Sequence, residues 1–206
     1  PKGQPWMLTL SSANIHTPYQ PPPLALQSSD FQTQGPRDCN NFLDQRAISR
    51  QMFQGIDQEV GRLLVETGLA IRQPGGSLQI DNNQNTMIIF IGDNGTYALS
   101  VLAPFDPLNA KATPYQTGVW APLAVAGPLV NPVNRGQAVE TMVNAVDLYH
   151  LFAEIAGIDP NQAVPSSRPL DSRPLLPYLA QVNAPSQRQT NFSQKEIGRA
   201  SCRERV

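Results

Sequence analysis

Apolar runs separated by polar, proline-rich stretches predict the elements of this chain. Met87 to Ile91 is a run of apolar residues that reads as a strand buried on both faces, and it stops abruptly at Gly92-Asp93-Asn94-Gly95. Trp6-Met7-Leu8-Thr9-Leu10-Ser11 reads as an earlier strand, and Ala121 to Gly127 as a later one with Pro near its start. From Phe42 to Thr67 the spacing predicts a helix. Met52, Ile56, Val60, Leu63 and Leu64 fall on one face, Arg46, Arg50, Asp57, Glu59 and Arg62 mostly off it, and Gly68 reads as the C-cap. Asn144 to Ala156 predicts a second helix, with Val146, Leu148, Leu151, Phe152 and Ile155 as its stripe and Gly157 as its stop. Pro174 to Leu179 predicts a short one. The stretches 20–41, 72–85 and 96–114 read as loops. The order strand, helix, strand, strand, helix predicts an α/β sheet with helices packed against it.

Composition narrows the class. The chain has 206 residues, 40% apolar and 15% charged, enough for a domain with its own core but unusually uncharged. The net charge is −1 and no basic run occurs, which argues against nucleic acid as a partner. No apolar run approaches the roughly 20 residues of a transmembrane helix. Pro1-Lys2-Gly3-Gln4-Pro5 reads as a linker entering a domain already under way. Glu196 to Val206 resembles the translation of a sequencing adapter and is expected to pack against nothing native. Without it the chain carries 12 basic and 14 acidic residues, and Cys39 is the single remaining cysteine, so no intramolecular disulfide is expected.

Candidate chemistry clusters at strand ends. Ligands of open α/β sheets sit outside the carboxyl ends of the strands, which would place Asp93 and Asn94 on the rim of a site. Both are hard oxygen donors suited to Ca²⁺ or Mg²⁺. Asn-Gly after an apolar run is equally a common turn. His16 follows the predicted first strand and could meet an anion or protonate a leaving group; a surface loop histidine is the alternative. Lys111 lies in the long 96–114 excursion, where structureless length is often functional. Cys39 has no cation or helix start to activate it. Asn94-Gly95-Thr96 and Asn191-Phe192-Ser193 match the glycosylation acceptor pattern.

Five segments in order resemble the sulfatase family of the alkaline phosphatase superfamily. They are Ile15-His16-Thr17-Pro18, Asp57-Gln58-Glu59-Val60-Gly61, Ile91-Gly92-Asp93-Asn94-Gly95, Lys111-Ala112-Thr113-Pro114-Tyr115 with Gly118 and Pro122, and Asn144 to Gly157. The resemblance covers about residues 4–194 and implies an alkaline-phosphatase-like mixed sheet with helices on both faces. It implies residues 1–180 as part of that domain and 181–195 as a linker or the start of a C-terminal subdomain. It further implies Asp93 and Asn94 as ligands of a divalent cation, Ca²⁺ in most sulfatases, with Lys111 and His16 on the sulfate oxygens. A sulfated small molecule or glycan would be the substrate, and a periplasmic or secreted location is the family's usual one.

The family's nucleophile, a formylglycine made from Cys or Ser in Cys/Ser-x-Pro-x-Arg, has no counterpart here and is expected upstream of Pro1. So are the paired Asp residues that complete the metal site. The chain is therefore expected to be an inactive piece of a sulfatase, weak for Ca²⁺ and poorly soluble by itself. Gln116-Thr117 stands where Glu-Gly is usual, and Trp120 where Arg is usual. A related phosphodiesterase or phosphonate hydrolase, and a non-catalytic protein of the same fold, are the alternatives.

Overall fold

A computed structural model describes residues 4–193. In chain order its regular elements are α1 (Ser29–Thr33), α2 (Phe42–Glu66), β1 (Ala70–Arg72), β2 (Leu78–Ile80), β3 (Ile88–Ile91), α3 (Gln116–Val119), β4 (Leu123–Ala126), α4 (Asp147–Ile155), α5 (Pro160–Ala163) and α6 (Leu176–Ala180), with short 3₁₀ turns between them. The mixed α and β character is as expected. The single multi-stranded sheet is not: among the described residues β1 pairs with β2 and β3 with β4, each as a two-stranded sheet. The chain divides into two compact units, one of residues 9–84 and 90–124, the other of residues 4–8, 85–89 and 125–193. The adapter-like segment and the entry at Pro1 lie outside the described residues.

In the first unit, α2 is the long element. Asn41 caps it by accepting from the amides of Leu43 and Asp44, and Gly68 beyond its end takes φ +74°. Its inward stripe is Ile48, Met52 and Gly55 rather than a stripe through Val60, which is 38% exposed. Gly55 has no side chain to hold the preceding loop off, and Pro22 and Leu26 come to within contact range of where a Cβ would stand. That loop, expected to be structureless, forms a 3₁₀ turn at Leu24–Leu26 and then α1, whose N-cap Ser28 accepts from Phe31 N. Tyr19, Phe31, Ile48 and Met52 form the core, with Ile15, Ala47 and Leu99 against it. The stretch 72–85 is likewise not all loop. β1 and β2 pair antiparallel with Ile71 opposite Gln79, around the Pro74-Gly75-Gly76 turn. Three-residue strands are too short to leave a period in the sequence.

Trp6 to Ser11 is not a strand. Trp6, Met7, Leu8 and Leu10 are all more than half exposed, and neither sheet includes this segment, so its backbone has no ladder to join. β3 also departs from expectation. Ile88 and Ile89 are half-buried, while Phe90 and Ile91 are exposed, so the strand is not covered on both faces. Its apolar composition exceeds what one neighbouring strand can bury.

In the second unit, α4 lays Leu151 into a core with Leu175, Tyr178 and Ala184, flanked by Ile89, Leu148, Leu176 and others. Asp147 begins the helix and is 1% exposed. Its carboxylate accepts from Asn144 N (2.8 Å), from Arg173 N (2.8 Å) and from the Arg188 guanidinium, tying the helix start to two later segments. The pair holds the Arg188 pKa above its ordinary value. Gly157 ends the helix at φ +73°. No helix among the described residues is long and apolar enough to cross a membrane.

Two predictions follow from this unit. Asp147→Ala leaves the Arg188 cation buried without its counter-charge and should cost about 3–5 kcal/mol in chemical denaturation. Glu154 on α4 has a carboxylate oxygen with no partner, and burial raises its pKa, with His150 pulling the other way. A raised folded pKa means that the native state holds the proton more tightly than the unfolded chain does. The neutral acid then costs nothing at low pH, and the penalty grows as pH rises past the ordinary Glu value of about 4.3. Glu154→Gln should therefore raise Tm at pH 7 to 8 and leave it unchanged near pH 3; an equal gain at both values would contradict this cause.

Candidate active site

β3 ends at Ile91, and the next four residues form a turn held by backbone bonds to one later segment. Gly92 N donates to Pro122 O (2.9 Å), Gly95 N to Gly118 O (3.1 Å) and Thr96 N to Thr117 O (3.0 Å). The turn that carries Asp93 and Asn94 is thus fastened at both ends. Gly95 is obligatory here by close approach. A Cβ at this position would lie 2.3 Å from Thr117 O and 2.4 Å from Gly118 C, which backbone cannot clear. Gly118 is confined in turn, since its Cβ would meet Thr113 O at 2.4 Å and Ala110 O at 2.6 Å.

Lys111 belongs to the same assembly. Its amide donates to Thr96 O at 2.8 Å, on the far side of the turn from Asn94. Thr113 Oγ1 folds back onto the carbonyls of Asn109 and Ala110 and stiffens the loop. Lys111 is half-buried, Asp93 is exposed and Asn94 half-buried. Among the described residues, neither the Asp93 nor the Asn94 side chain is hydrogen-bonded to a protein group, and Lys111 makes no ion pair. These charges and oxygens are available to a ligand.

His16 arrives from a different stretch. Asn14 Nδ2 donates to Met52 O (2.9 Å) and its Oδ1 accepts from Ile15 N (2.9 Å), fixing the approach to α2. Ile15 packs on the core that includes Leu99, and Tyr19 meets Tyr97 edge-on at 6.0 Å. The His16 segment and the chain just beyond Thr96 therefore share one core. The exposed His16 ring places Nδ1 2.7 Å from Thr17 O. A carbonyl only accepts, so Nδ1 carries the proton and Nε2 is left for a ligand.

Backbone strain marks the same places. Three non-glycine residues among those described have positive φ, and two of them adjoin candidate residues: Ile15 at +62° beside His16 and Ala112 at +75° beside Lys111. A β-branched residue in this region is an outlier that surrounding structure must impose, and such outliers collect at functional sites. Sequence reasoning missed Asn14 as the anchor and Gly95 and Gly118 as packing points, because each acts on residues outside its own local pattern: Asn14 through its side chain on Met52 O, Gly95 against Thr117 and Gly118, and Gly118 against Ala110 and Thr113.

As a cation site the arrangement is partial. No group of three or more His, Cys, Asp or Glu that could hold a metal occurs among the described residues. Asp93 and Asn94 offer two hard oxygens where Ca²⁺ takes about six to eight. They fit a share of such a shell, and the other ligands would have to come from elsewhere.

Dog arylsulfatase K is 25% identical over 179 residues, 86% of this chain, and human arylsulfatase K is 25% identical over the same length. A sulfatase of Formosa agariphila is 39% identical over 114 residues, half of this chain. The chain is related to the sulfatases. It spans 30% of the length of the two arylsulfatase K proteins and 18% of the Formosa sulfatase. No protein-family profile matches the chain, and no solved structure matches it. The sulfatase resemblance read from the five segments thus has independent support, and the described residues are mixed α/β with two small paired sheets.

If the fastened turn organises the site, Gly95→Ala must displace Thr117–Gly118. The expected cost is about 2–3 kcal/mol in urea denaturation, with faster amide exchange at Gly95 and Thr96. A variant as stable as the parent would show that the close approach does not constrain this region.

Proposed function

We propose that this chain is part of a sulfatase-like hydrolase that cleaves sulfate esters, with Asp93, Asn94, Lys111 and His16 in its active site. The observation that carries the reading is the joining of Asp93, Asn94 and Lys111 by backbone bonds through one fastened turn, in a chain related to sulfatases. Asp93 and Asn94 would supply two of the oxygen ligands of a divalent cation, Ca²⁺ by the resemblance. When bound, that cation would neutralise charge on the sulfate group.

The chain's own residues have separable tasks. Lys111 places a point charge where the sulfate oxygens would sit, and Ala112 in the left-handed region sets the direction in which the chain leaves it. A sulfate ester gains negative charge on its leaving oxygen as the bond breaks, so a donor aimed there stabilises the transition state more than the ground state. His16 suits that role as the imidazolium, because Nδ1–H is held by Thr17 O and the second proton, on Nε2, is the one given to the leaving oxygen. By the resemblance the nucleophile would be a formylglycine made in a Cys/Ser-x-Pro-x-Arg segment, and no such segment occurs in the 206 residues. The 206-residue chain alone should accordingly turn over no aryl sulfate.

The complete gene product should hydrolyse aryl sulfates and lose that activity to chelator. Lys111→Ala should lower kcat/KM by about 10²–10³. His16→Ala should lower kcat by about 10²–10⁴, with the greater loss on esters whose leaving alcohol is a poor acid. A loss independent of the leaving group would remove His16 from that role. A gene product inert to sulfate esters and active on phosphodiesters would point instead to the related phosphoryl-transfer enzymes.

A further inference from the structure

Trp120 stands where the sulfatase pattern has Arg, and its placement gives it a use. The segment 118–122 is bonded at Gly118 to Gly95 and at Pro122 to Gly92. Trp120 lies midway between those two bonds, and Asp93 and Asn94 lie midway between the same two bonds on the other side. The indole-bearing residue is therefore held directly across from the rim residues. It is 62% exposed. Phe105 meets it edge-to-face, with centroids 6.4 Å apart and planes at 73°, and is itself 44% exposed. Neither ring is on a loose tether. Trp120 N donates to Gln116 O (2.8 Å) at the end of α3, and Phe105 N donates to Leu102 O (3.0 Å) in its own turn.

We propose that Trp120 and Phe105 form a stacking subsite for the six-membered ring that bears the sulfate ester. This rests on the sulfate-ester reading of the adjoining residues. Single exposed aromatics are ordinary on protein surfaces, but these two residues meet ring to ring, and the segment that carries Trp120 is bonded at both ends to the turn that carries Asp93 and Asn94. The two halves match a ligand with an anionic end and a flat apolar ring. An aromatic face receives either an aryl ring or the C–H face of a pyranose, because both present weakly positive hydrogens or an offset π-surface to it. Replacing Arg by Trp exchanges a second cation for ring contact, which shifts recognition from charge toward the shape of the alcohol portion.

The test uses the complete gene product labelled with ¹⁵N at tryptophan, with the Trp6 and Trp120 indole resonances assigned from Trp6→Phe and Trp120→Phe. The probes are p-nitrophenyl sulfate, N-acetylglucosamine 6-sulfate, their unsulfated counterparts and inorganic sulfate. The Trp120 indole should shift with ring esters while that of Trp6 stays still. Trp120→Ala should weaken ring-ester binding about tenfold and leave inorganic sulfate unchanged, and Trp120→Phe should recover most of the loss. A shift with only one of the two esters supports the subsite and identifies the ring it takes. A Trp120 indole unmoved by every ring probe, or equal ring-ester affinity in wild type and Trp120→Ala, overturns it. Lys111→Ala separates the two claims: if inorganic sulfate binding survives that change while ring probes still move Trp120, the subsite stands and the sulfate assignment falls.

Discussion

The backbone fastening between residues 92–96 and 117–122 is the constraint on which the candidate site depends. Three amide-to-carbonyl bonds hold a turn whose Asp93 and Asn94 side chains bond no protein group among the described residues, and the carbonyl of Thr96 on the same turn accepts the amide of Lys111. Glycine at 95 and 118 permits the approach. An acidic residue, a carboxamide and a lysine are thereby carried on one hydrogen-bonded frame rather than on two independent loops. Positioning of that kind is what electrostatic catalysis requires, because charges fixed in advance need not reorganise as the reaction proceeds.

The second unit is held by a different device. Asp147 takes four donors into a buried carboxylate and links the start of α4 to Arg173 and Arg188. Such a pair contributes little net stability against a hydrophobic equivalent, yet breaking it is costly, so it acts as a specification of geometry. Around both devices a considerable apolar surface stays open. Phe90 and Ile91 of β3 and the run Trp6 to Leu10 are exposed although their composition suits a buried sheet.

Helices were legible in the sequence because their signals are local. Asn41 and Gly68 bound α2, and Gly157 ends α4, each by chemistry that acts within a few residues. The second good signal was the abrupt end of β3 at Gly-Asp-Asn-Gly, which places Asp93 and Asn94 just past the strand. What could not be read was pairing. Trp6 to Ser11 has strand composition, yet composition does not supply a neighbour, and without a ladder the segment is irregular. The β1–β2 hairpin was missed for the opposite reason, since pairing across a proline-glycine turn made strands of residues too few to show alternation. Around the turn, the residue types were legible and the backbone link between Lys111 and Thr96 was not. The bond from Lys111 to Thr96 spans a loop, and the left-handed Ile15 and Ala112 have no sequence signature at all.

The central claim is that His16 and the Asp93–Lys111 turn address one anion. The most direct measurement is a crystal structure of the complete gene product with a sulfate ester or inorganic sulfate bound. Lys111 Nζ and His16 Nε2 should each lie within hydrogen-bond reach of the same sulfate, with Asp93 and Asn94 on a cation beside it. A structure with His16 too far from Asp93 to be bridged by one anion and one cation would contradict the account.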